Sequence, residues 1–564
     1  MSMKKLSNSS PEFLTVTVTG YERNRVMPKV VDYFCDQHRG SPSQILEAVL
    51  LWNENQCKPP FERNELEAVL QYRFQVKTAE DLASAKQKSS SRSGKILDVV
   101  LKDDQVTLLK DQNAEAYGRI KMGQKEINVP VFSRDFSNFV KHKVYTETRE
   151  LVTDLNIKDA VGFIAAEANY NSPQHDLFHR VAEVKGSFYY YLQDGPGDMV
   201  RINQKGWEIV SGSTMPFLFK EGCGRRQVRP KHGGDLKDFL KLINIKDSDD
   251  QMLFLCTLPV RLIRNIDQAI VYIYGPAGSA KTSLLKMTKE LLDPSIAGVS
   301  MPVRNVEDVA VLLNQSWVFA NDNISKINDE LSNFFCVMAT GAESARRKLY
   351  TDSEISVLTV KNPAYITGVN IEAYRSDLLS RVLLFKTDLV PLGERKSATQ
   401  LQWEFEEMRP YLLGAMFDIL SRAITVKEKL SQKTEFRMAD FALWGAACAE
   451  VMGYGAAEFE EALQRSMKSR AYDAIYSTTA GRSLLHYLEE RQQFEGTVAD
   501  LLQALKESNE NERSGYYESV AANPAALGKK LRELENSLAA VGFILDFGKR
   551  TSAERRISIR KTQN

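Results

Sequence analysis

The sequence predicts an α/β protein of several domains, built around a central parallel sheet covered by helices. Three observations carry that prediction. The chain has 564 residues, more than one hydrophobic core accommodates when domains run to roughly 100–200 residues. From residue 235 to about 389, helical segments alternate with short β-branched runs at 269–274, 316–320 and 364–367, the order of parallel strands joined by crossover helices. Outside that stretch the pattern changes: residues 400–470 have a helical apolar period throughout, and the two ends read as small separate units.

Lys and Arg number 74 against 73 Asp and Glu, a net charge of +1. That balance excludes a globally basic coat and an acidic solvating tail, so any nucleic-acid surface must be local. Hydrophobic residues make up 43%, and the longest apolar run, near 252–260, is far shorter than the roughly 18 residues that span a bilayer. A soluble protein with no membrane partner is expected. The opening MSMKKLSNSSPEF has no apolar segment behind its lysines, so it is not a secretory signal and a cytoplasmic location is expected. Cys35, Cys57, Cys223, Cys256, Cys336 and Cys448 form no CxxC pair and read as reduced, mostly buried thiols.

A helical unit is expected over 1–84, followed at 85–94 by a linker (AKQKSSSRSG) too polar to pack. Residues 95–234 read as an α+β connector domain ending in a mobile basic loop, 222–234 (GCGRRQVRPKHGG), where Arg225, Arg226, Arg229 and Lys231 sit among glycines. Within it, Tyr189, Tyr190 and Tyr191 are expected to alternate between core and surface, and His175 and His179 to be a surface or satisfied pair. The α/β core follows at 235–395, a helical segment at 396–474 and a small C-terminal unit at 475–564.

The strand-like AIVYIY runs directly into Gly275-Pro276-Ala277-Gly278-Ser279-Ala280-Lys281-Thr282, and the helical SLLKMTKELL follows. Strand, glycine loop and helix in that order form a phosphate-binding loop: backbone N–H groups wrap a phosphate at the helix N-terminus, Lys281 reaches the β- and γ-phosphates, and the Thr282 hydroxyl takes Mg²⁺. Ala280 replaces the usual glycine before the lysine, a change that a helix-starting conformation tolerates. ATP and Mg²⁺ are thus the expected cofactors.

A second strand should end in an acid that holds the metal or polarises water. SWVFANDN supplies it: Asp322 is the metal-facing carboxylate, and Asn321 or Asn323 takes the place where many ATPases keep a second one. A third strand ends in Thr367 and Asn370, candidates to read the γ-phosphate and the attacking water. Arg375 and Arg381 follow in AYRSDLLSRVLLF, where an arginine finger or sensor is expected if a neighbouring subunit completes the site.

In the order P-loop, SWVFANDN, ATGAESARRKLYTDSE, ITGVN and YRSDLLSRVLLF, residues 270–390 resemble the superfamily 3 AAA+ ATPase of phage and plasmid primase–helicase proteins. The resemblance implies that Arg346, Arg347, Lys348 and Tyr350 lie on the rising arm of a hairpin that grips DNA, with residues 351–353 at its turn and 355–360 on the returning strand. Three cations beside an aromatic suit a phosphate backbone and a stacked base. Near the N-terminus, GYERN and NENQCKPPFERNE are similar to the small helical domain that follows the primase catalytic domain in that family, with Arg23 and Asn24 as candidate contacts. No primase domain precedes them, so priming is assigned to a separately encoded partner.

The C-terminal unit reads as a DNA-binding winged helix: helices near 480–490, 497–507 and 523–541, then GFILD and RRISIR as two strands. Lys529, Lys530, Arg555 and Arg556 are its candidate DNA contacts. Together these readings describe an ATP-driven helicase or translocase, a ring and most simply a hexamer, acting on single-stranded and origin duplex DNA in replication of a phage or mobile element. The alternative is a nucleotide-gated initiator or helicase loader without sustained unwinding, which the single strand-end acid favours. A P-loop metabolic kinase would leave the basic C-terminal tail without a use.

Overall fold

The computed structural model describes residues 14, 17–19, 26–34 except 28, 42–70 except 64, 68 and 69, 92–347, 355–369, 376–430, 434, 436–511, 520–548 and 556–562; within these, residues 124, 195, 196, 213, 214, 216, 223, 301, 325 and 326 are not described. The chain divides into two compact units, one made of residues 1–103 and 137–164, the other of 104–136 and 165–564. Residues 95–234, expected as one connector, thus contribute to both.

In the first unit, β1 (Val18–Thr19) pairs in parallel with β2 (Cys57–Lys58), which directly follows α1 (Pro42–Gln56). Val30, Val31, Ile45, Val49, Trp52 and Leu66 form its core. The amide of Asn53 clamps Phe61 from both sides, accepting its N–H at 2.9 Å and donating to its carbonyl at 3.0 Å. Arg23 and Asn24 lie outside the described residues, as do most of the expected linker residues, but Arg92 already opens α2 (Arg92–Leu101). Helices α3 (Arg134–Thr148) and α4 (Asp154–Asn171) supply residues 137–164.

The second unit begins with an antiparallel meander of β3 (Val106–Lys110), β4 (Ala116–Met122) and β5 (Lys125–Pro130). A four-stranded antiparallel sheet follows, made of β6 (Val181–Val184), β7 (Ser187–Tyr191), β8 (Met199–Asn203) and β9 (Gly206–Val210) in the order β9-β8-β7-β6. All three tyrosines of β7 are buried: Tyr190 enters the main core, while Tyr189 and Tyr191 pack on the opposite face against Phe217 and Phe219. The expected alternation of core and surface therefore fails because both faces are covered. His175 and His179 lie outside any helix. The basic loop is also held down: Arg225 pairs with Glu290, Arg229 with Asp194 and Asp198, and the Lys231 N–H donates to the Pro410 carbonyl.

Helix α5 (Ser248–Val260), capped by Asp247, carries the longest apolar run and is buried continuously from Met252 to Val260, as expected of a helix hydrophobic all round. It leads to a four-stranded parallel sheet of β10 (Ile270–Tyr274), β11 (Phe319–Asn321), β14 (Ala364–Gly368) and β15 (Val382–Lys386) in the order β11-β14-β10-β15; β12 (Ala342–Arg347) and β13 (Ile355–Val360) form a separate antiparallel hairpin between β11 and β14 in sequence. Parallel sheets bury both faces, so their strands are continuous apolar runs. Val271, Ile273, Leu383 and Phe385 face one core, and Ile270, Tyr272, Val382 and Leu384 face the other. The connecting helices are α6 (Lys281–Leu292), α7 (Val306–Leu313), α8 (Asp329–Thr340) and the short α9 (Ser376–Leu379).

Helices α10 (Ala398–Lys427), α11 (Ala439–Val451) and α12 (Ala456–Tyr476) follow as the helical segment. One hydrophobic core joins their residues Phe405–Leu463 to the β6–β9 sheet, α5 and the parallel sheet. A buried charge cluster ties this core together: Asp293 receives Arg180 at 2.9 Å and Lys289 at 2.7 Å, and accepts the N–H groups of Trp317 and Val318 at 2.9 and 3.0 Å.

The C-terminal part has its own core. Its order is α13 (Thr479–Arg491), β16 (Gln493–Thr497), α14 (Val498–Asn511), α15 (Pro524–Ala540), β17 (Phe543–Phe547) and β18 (Arg556–Lys561), with β18 central in a three-stranded antiparallel sheet. The expected three helices and two strands are present, and β16 adds a third strand. Cys256, Cys336 and Cys448 are free thiols and buried, Cys57 is buried, and Cys35 and Cys223 are not among the described residues. No helix among the described residues is long and apolar enough to cross a membrane.

Candidate functional site

The loop from Gly275 to Ala280 joins β10 to α6 at the end of a central strand. Gly275 has φ +153°, and a Cβ there would fall 2.2 Å from the Thr387 carbonyl; Gly278 has φ +81°. Ala280 has φ +64° and ψ +20°, the left-handed region, and not the helical conformation that the sequence suggests. The loop turns through this residue to aim α6, which strains an L-residue. Asp247, Asn305 and Asn328 cap α5, α7 and α8, but no side chain caps α6. Its first N–H groups therefore face the loop, the arrangement that receives anions at helix N-termini.

Lys281 Nζ folds back to donate to the carbonyls of Gly275 and Pro276, both at 2.8 Å, and to Ser279 Oγ at 3.3 Å. Partial burial pulls its ammonium below the ordinary lysine value, and Asp322 opposes that shift. Thr282 Oγ1 donates to Asp322 Oδ2 at 2.9 Å. Thr367 Oγ1 donates to Asp322 Oδ1 at 2.5 Å and accepts the Asn323 N–H at 2.8 Å. Two sequence candidates, Thr282 and Thr367, from separate segments thus meet at the carboxylate of a third, Asp322. The strand order explains it, since β14 lies between β10 and β11 and brings Thr367 beside both.

Asn321 is fully buried and donates to Ser300 Oγ at 2.7 Å, while Asn323 is exposed in a left-handed conformation at φ +57°. Arg381 is only 6% exposed and donates to the carbonyl and carboxylate of Asp377, to which Arg437 is also paired. The arginine expected to project as a finger or sensor is instead held down within the fold. Asn370 and Arg375 lie outside the described residues.

Three loop neighbours carry no local sequence signal. Thr387 Oγ1 lies 2.8 Å from Ser279 Oγ, the Asn244 amide lies 3.4 Å from the Ser279 carbonyl, and Arg395 Nη2 would be 3.4 Å from a Cβ at Gly278. They brace the loop from 35 and more residues away.

Of the DNA candidates, Arg346 and Arg347 lie on β12, opposite Ser356 and Ile355 of β13 in the hairpin register. Lys348, Tyr350 and Arg555 are outside the described residues. Lys529 is exposed on α15, Lys530 pairs with Glu533 at 3.1 Å, and Arg556 is exposed at the start of β18.

Residues 236–467 match the family model of the actinomycete integrative conjugative element replication protein, and residues 480–564 match that of the AICE RepA C-terminal domain. No curated protein matches the chain. Among solved structures, the chain is similar to the A form apo structure of the NrS-1 C-terminal region, with 10% identity over 83% of this chain and 99% of that one and a TM-score of 0.38. Another structure of that region shares 12% identity over 60% of this chain and 74% of the other, with a TM-score of 0.32. A JCV helicase structure shares 14% identity over 39% and 66% of the two chains, with a TM-score of 0.22. The sequence pointed to replication of a phage or mobile element, and the matched family is the replication protein of a mobile element of the integrative conjugative kind. Over both matched stretches, which together make up more than half of its length, the chain is matched to the replication protein RepA of actinomycete integrative conjugative elements.

Proposed function

We propose that the chain is an ATP-driven DNA motor, a helicase or translocase of superfamily 3 type, that acts in replication of the mobile element. The observation that carries this reading is the convergence of the Thr282 and Thr367 hydroxyls on Asp322 at the mouth of an uncapped helix, beside a loop onto which Lys281 folds. The donor set fits Mg²⁺, which takes one or two carboxylates and completes its shell with phosphates and water. Thr282 and Asp322 would hold the ion, which supplies charge neutralisation at the β- and γ-phosphates. Lys281 exchanges its loop carbonyls for phosphate oxygens. Thr367 orients the Asp322 carboxylate and stands where the attacking water is read. Arg395, beside Gly278, reaches the phosphates within the same chain. The β12–β13 hairpin and the helix–strand unit at 479–561, read as a winged helix, take single-stranded and origin duplex DNA, with the working form a ring.

The test is ATP hydrolysis with and without single-stranded DNA, alongside opening of a forked duplex, for wild type, Lys281→Ala and Asp322→Asn. The motor reading expects DNA-stimulated hydrolysis and fork opening, both lost in the two variants, with Asp322→Asn slower by roughly 100-fold or more. A fork that stays closed while ATP and duplex DNA bind refutes it. A second reading, an initiator or loader that assembles on ATP without unwinding, is favoured by Asn321: its amide is engaged with Ser300, which leaves the strand end with the single carboxylate of Asp322.

A further inference from the structure

A cavity of about 630 Å³ opens between the β3–β5 meander and the end of α7. Its wall includes Tyr117, Phe178, His179, Lys220, Arg264 and Asn314. That volume is in the range of small-molecule sites. Nothing in the proposed motor uses it.

The charges around it are unevenly satisfied. Lys220 is paired with the buried Asp111 at 2.9 Å and lies 4.9 Å from the centre of the Tyr117 ring. Arg264 is different: its guanidinium sits over Phe178 at 5.1 Å and Trp317 at 5.5 Å, and makes no hydrogen bond or ion pair among the described residues. Burial lowers its pKa with no carboxylate to oppose the shift. Arg264 is half-buried and lines the cavity, so its charge, with no counter-ion among the described residues, is open to an anion entering there. His179 shares this environment: burial, then Lys220 and Arg264, push its imidazole down to about 3. The wall's carboxylates, Glu115, Asp135 and Asp176, are on exposed residues, and Lys220 is neutralised by Asp111, so Arg264 is the wall's cation without an ion pair among the described residues.

A planar guanidinium suits the tetrahedral oxygens of a phosphate, which it binds through two parallel N–H groups. The exposed amides of Asn113 and Asn314 offer hydrogen-bond donors and acceptors to a planar base. We propose that this cavity binds a nucleoside phosphate, with Arg264 as its anchor, at a site separate from the Lys281 loop. The ligand is either a free mononucleotide or the phosphorylated terminal nucleotide of a DNA strand.

The test is isothermal titration of the full chain carrying Lys281→Ala, so that the proposed ATP loop does not contribute. The probes are deoxyadenosine monophosphate, orthophosphate, and a short single-stranded oligonucleotide with and without a 5′-phosphate. Arg264→Gln keeps a planar group over Phe178 and Trp317 but removes the charge; Asn314→Glu places an anion in the wall from an exposed position. The proposal expects at least tenfold weaker binding of the nucleoside phosphate in both variants, and Asn314→Glu keeps the test decisive if Arg264→Gln does not fold. Tight binding of the mononucleotide identifies the free ligand, and tighter binding of the oligonucleotide with a 5′-phosphate than without it, a difference lost in Arg264→Gln, identifies the strand end. The proposal is overturned if no probe binds, if the variants bind as the parent does, or if orthophosphate binds as tightly as the nucleotide. Hydrolysis at the Lys281 loop is read separately in the Arg264→Gln chain with Lys281 intact, so failure of the motor reading and failure of this one are distinct results.

Discussion

Replacing Ala280 with glycine should stabilise the protein, although the substitution removes a methyl group from a helix start. Ala280 sits at φ +64° and ψ +20°, where a side chain costs about 1–2 kcal/mol. Glycine relieves that strain but loses more backbone freedom on folding, about 0.5–1 kcal/mol. The difference is a gain of about 1 kcal/mol, equivalent to about 1 °C in Tm for the second unit, which spans residues 104–136 and 165–564. Scanning calorimetry reads it directly, and Ala280→Val, which adds β-branching at the same backbone angles, should shift the transition the other way. If Ala280→Gly melts at or below wild type while Ala280→Val melts no lower, Ala280 is not left-handed and the account of the loop is wrong.

Asp293→Asn should cost about 3–5 kcal/mol in urea unfolding, because Arg180 and Lys289 are then buried with no counter-charge; a loss under 1 kcal/mol refutes the buried cluster as a structural tie. Gly368→Ala should cost about 1–3 kcal/mol, since the new Cβ would lie 1.9 Å from the Tyr272 hydroxyl; adding Tyr272→Phe should recover part of the loss, and a double variant no better than the single one contradicts the contact. Burial and the neighbouring Asp247 push the Asp250 carboxyl up to about 7, so its folded state favours the protonated form. The associated stability is present below the unfolded value near about 4 and is lost as pH rises through 7. Asp250→Asn should therefore gain on wild type between pH 5 and pH 8, and a difference that does not change with pH rules out the shift.

What could be read from the sequence was local. Strand, glycine loop and helix are contiguous, and Asp322 and Thr367 each end an apolar run, so their chemistry is written in adjacent residues. Ala280 shows the limit of such reading: the residue type does not reveal a left-handed turn imposed by how α6 leaves the sheet. Thr387 meets Ser279 across 108 positions because β15 lies beside β10, a contact that follows from strand order alone. Arg381 has the position of a sensor in its motif, yet Asp377, one helical turn earlier, holds its guanidinium. The three tyrosines of β7 look like an amphipathic strand until a second apolar cluster covers the outer face.

The tract that links the hairpin to the Asp322 cluster has a mechanical consequence. From Val360, the last residue of β13, to Thr367 the chain spans at most about 25 Å. It is pinned at its midpoint, where the Asn362 amide donates to the Trp317 carbonyl at 3.0 Å and the Pro363 carbonyl accepts the Phe319 N–H at 2.9 Å. Beyond that point it lies in register with β10, Thr367 opposite Ile273. A tract fixed at its middle and at its far end has little slack. A pull on the hairpin is then taken up at Asn362 and Pro363, and the Thr367 hydroxyl keeps its place beside Asp322.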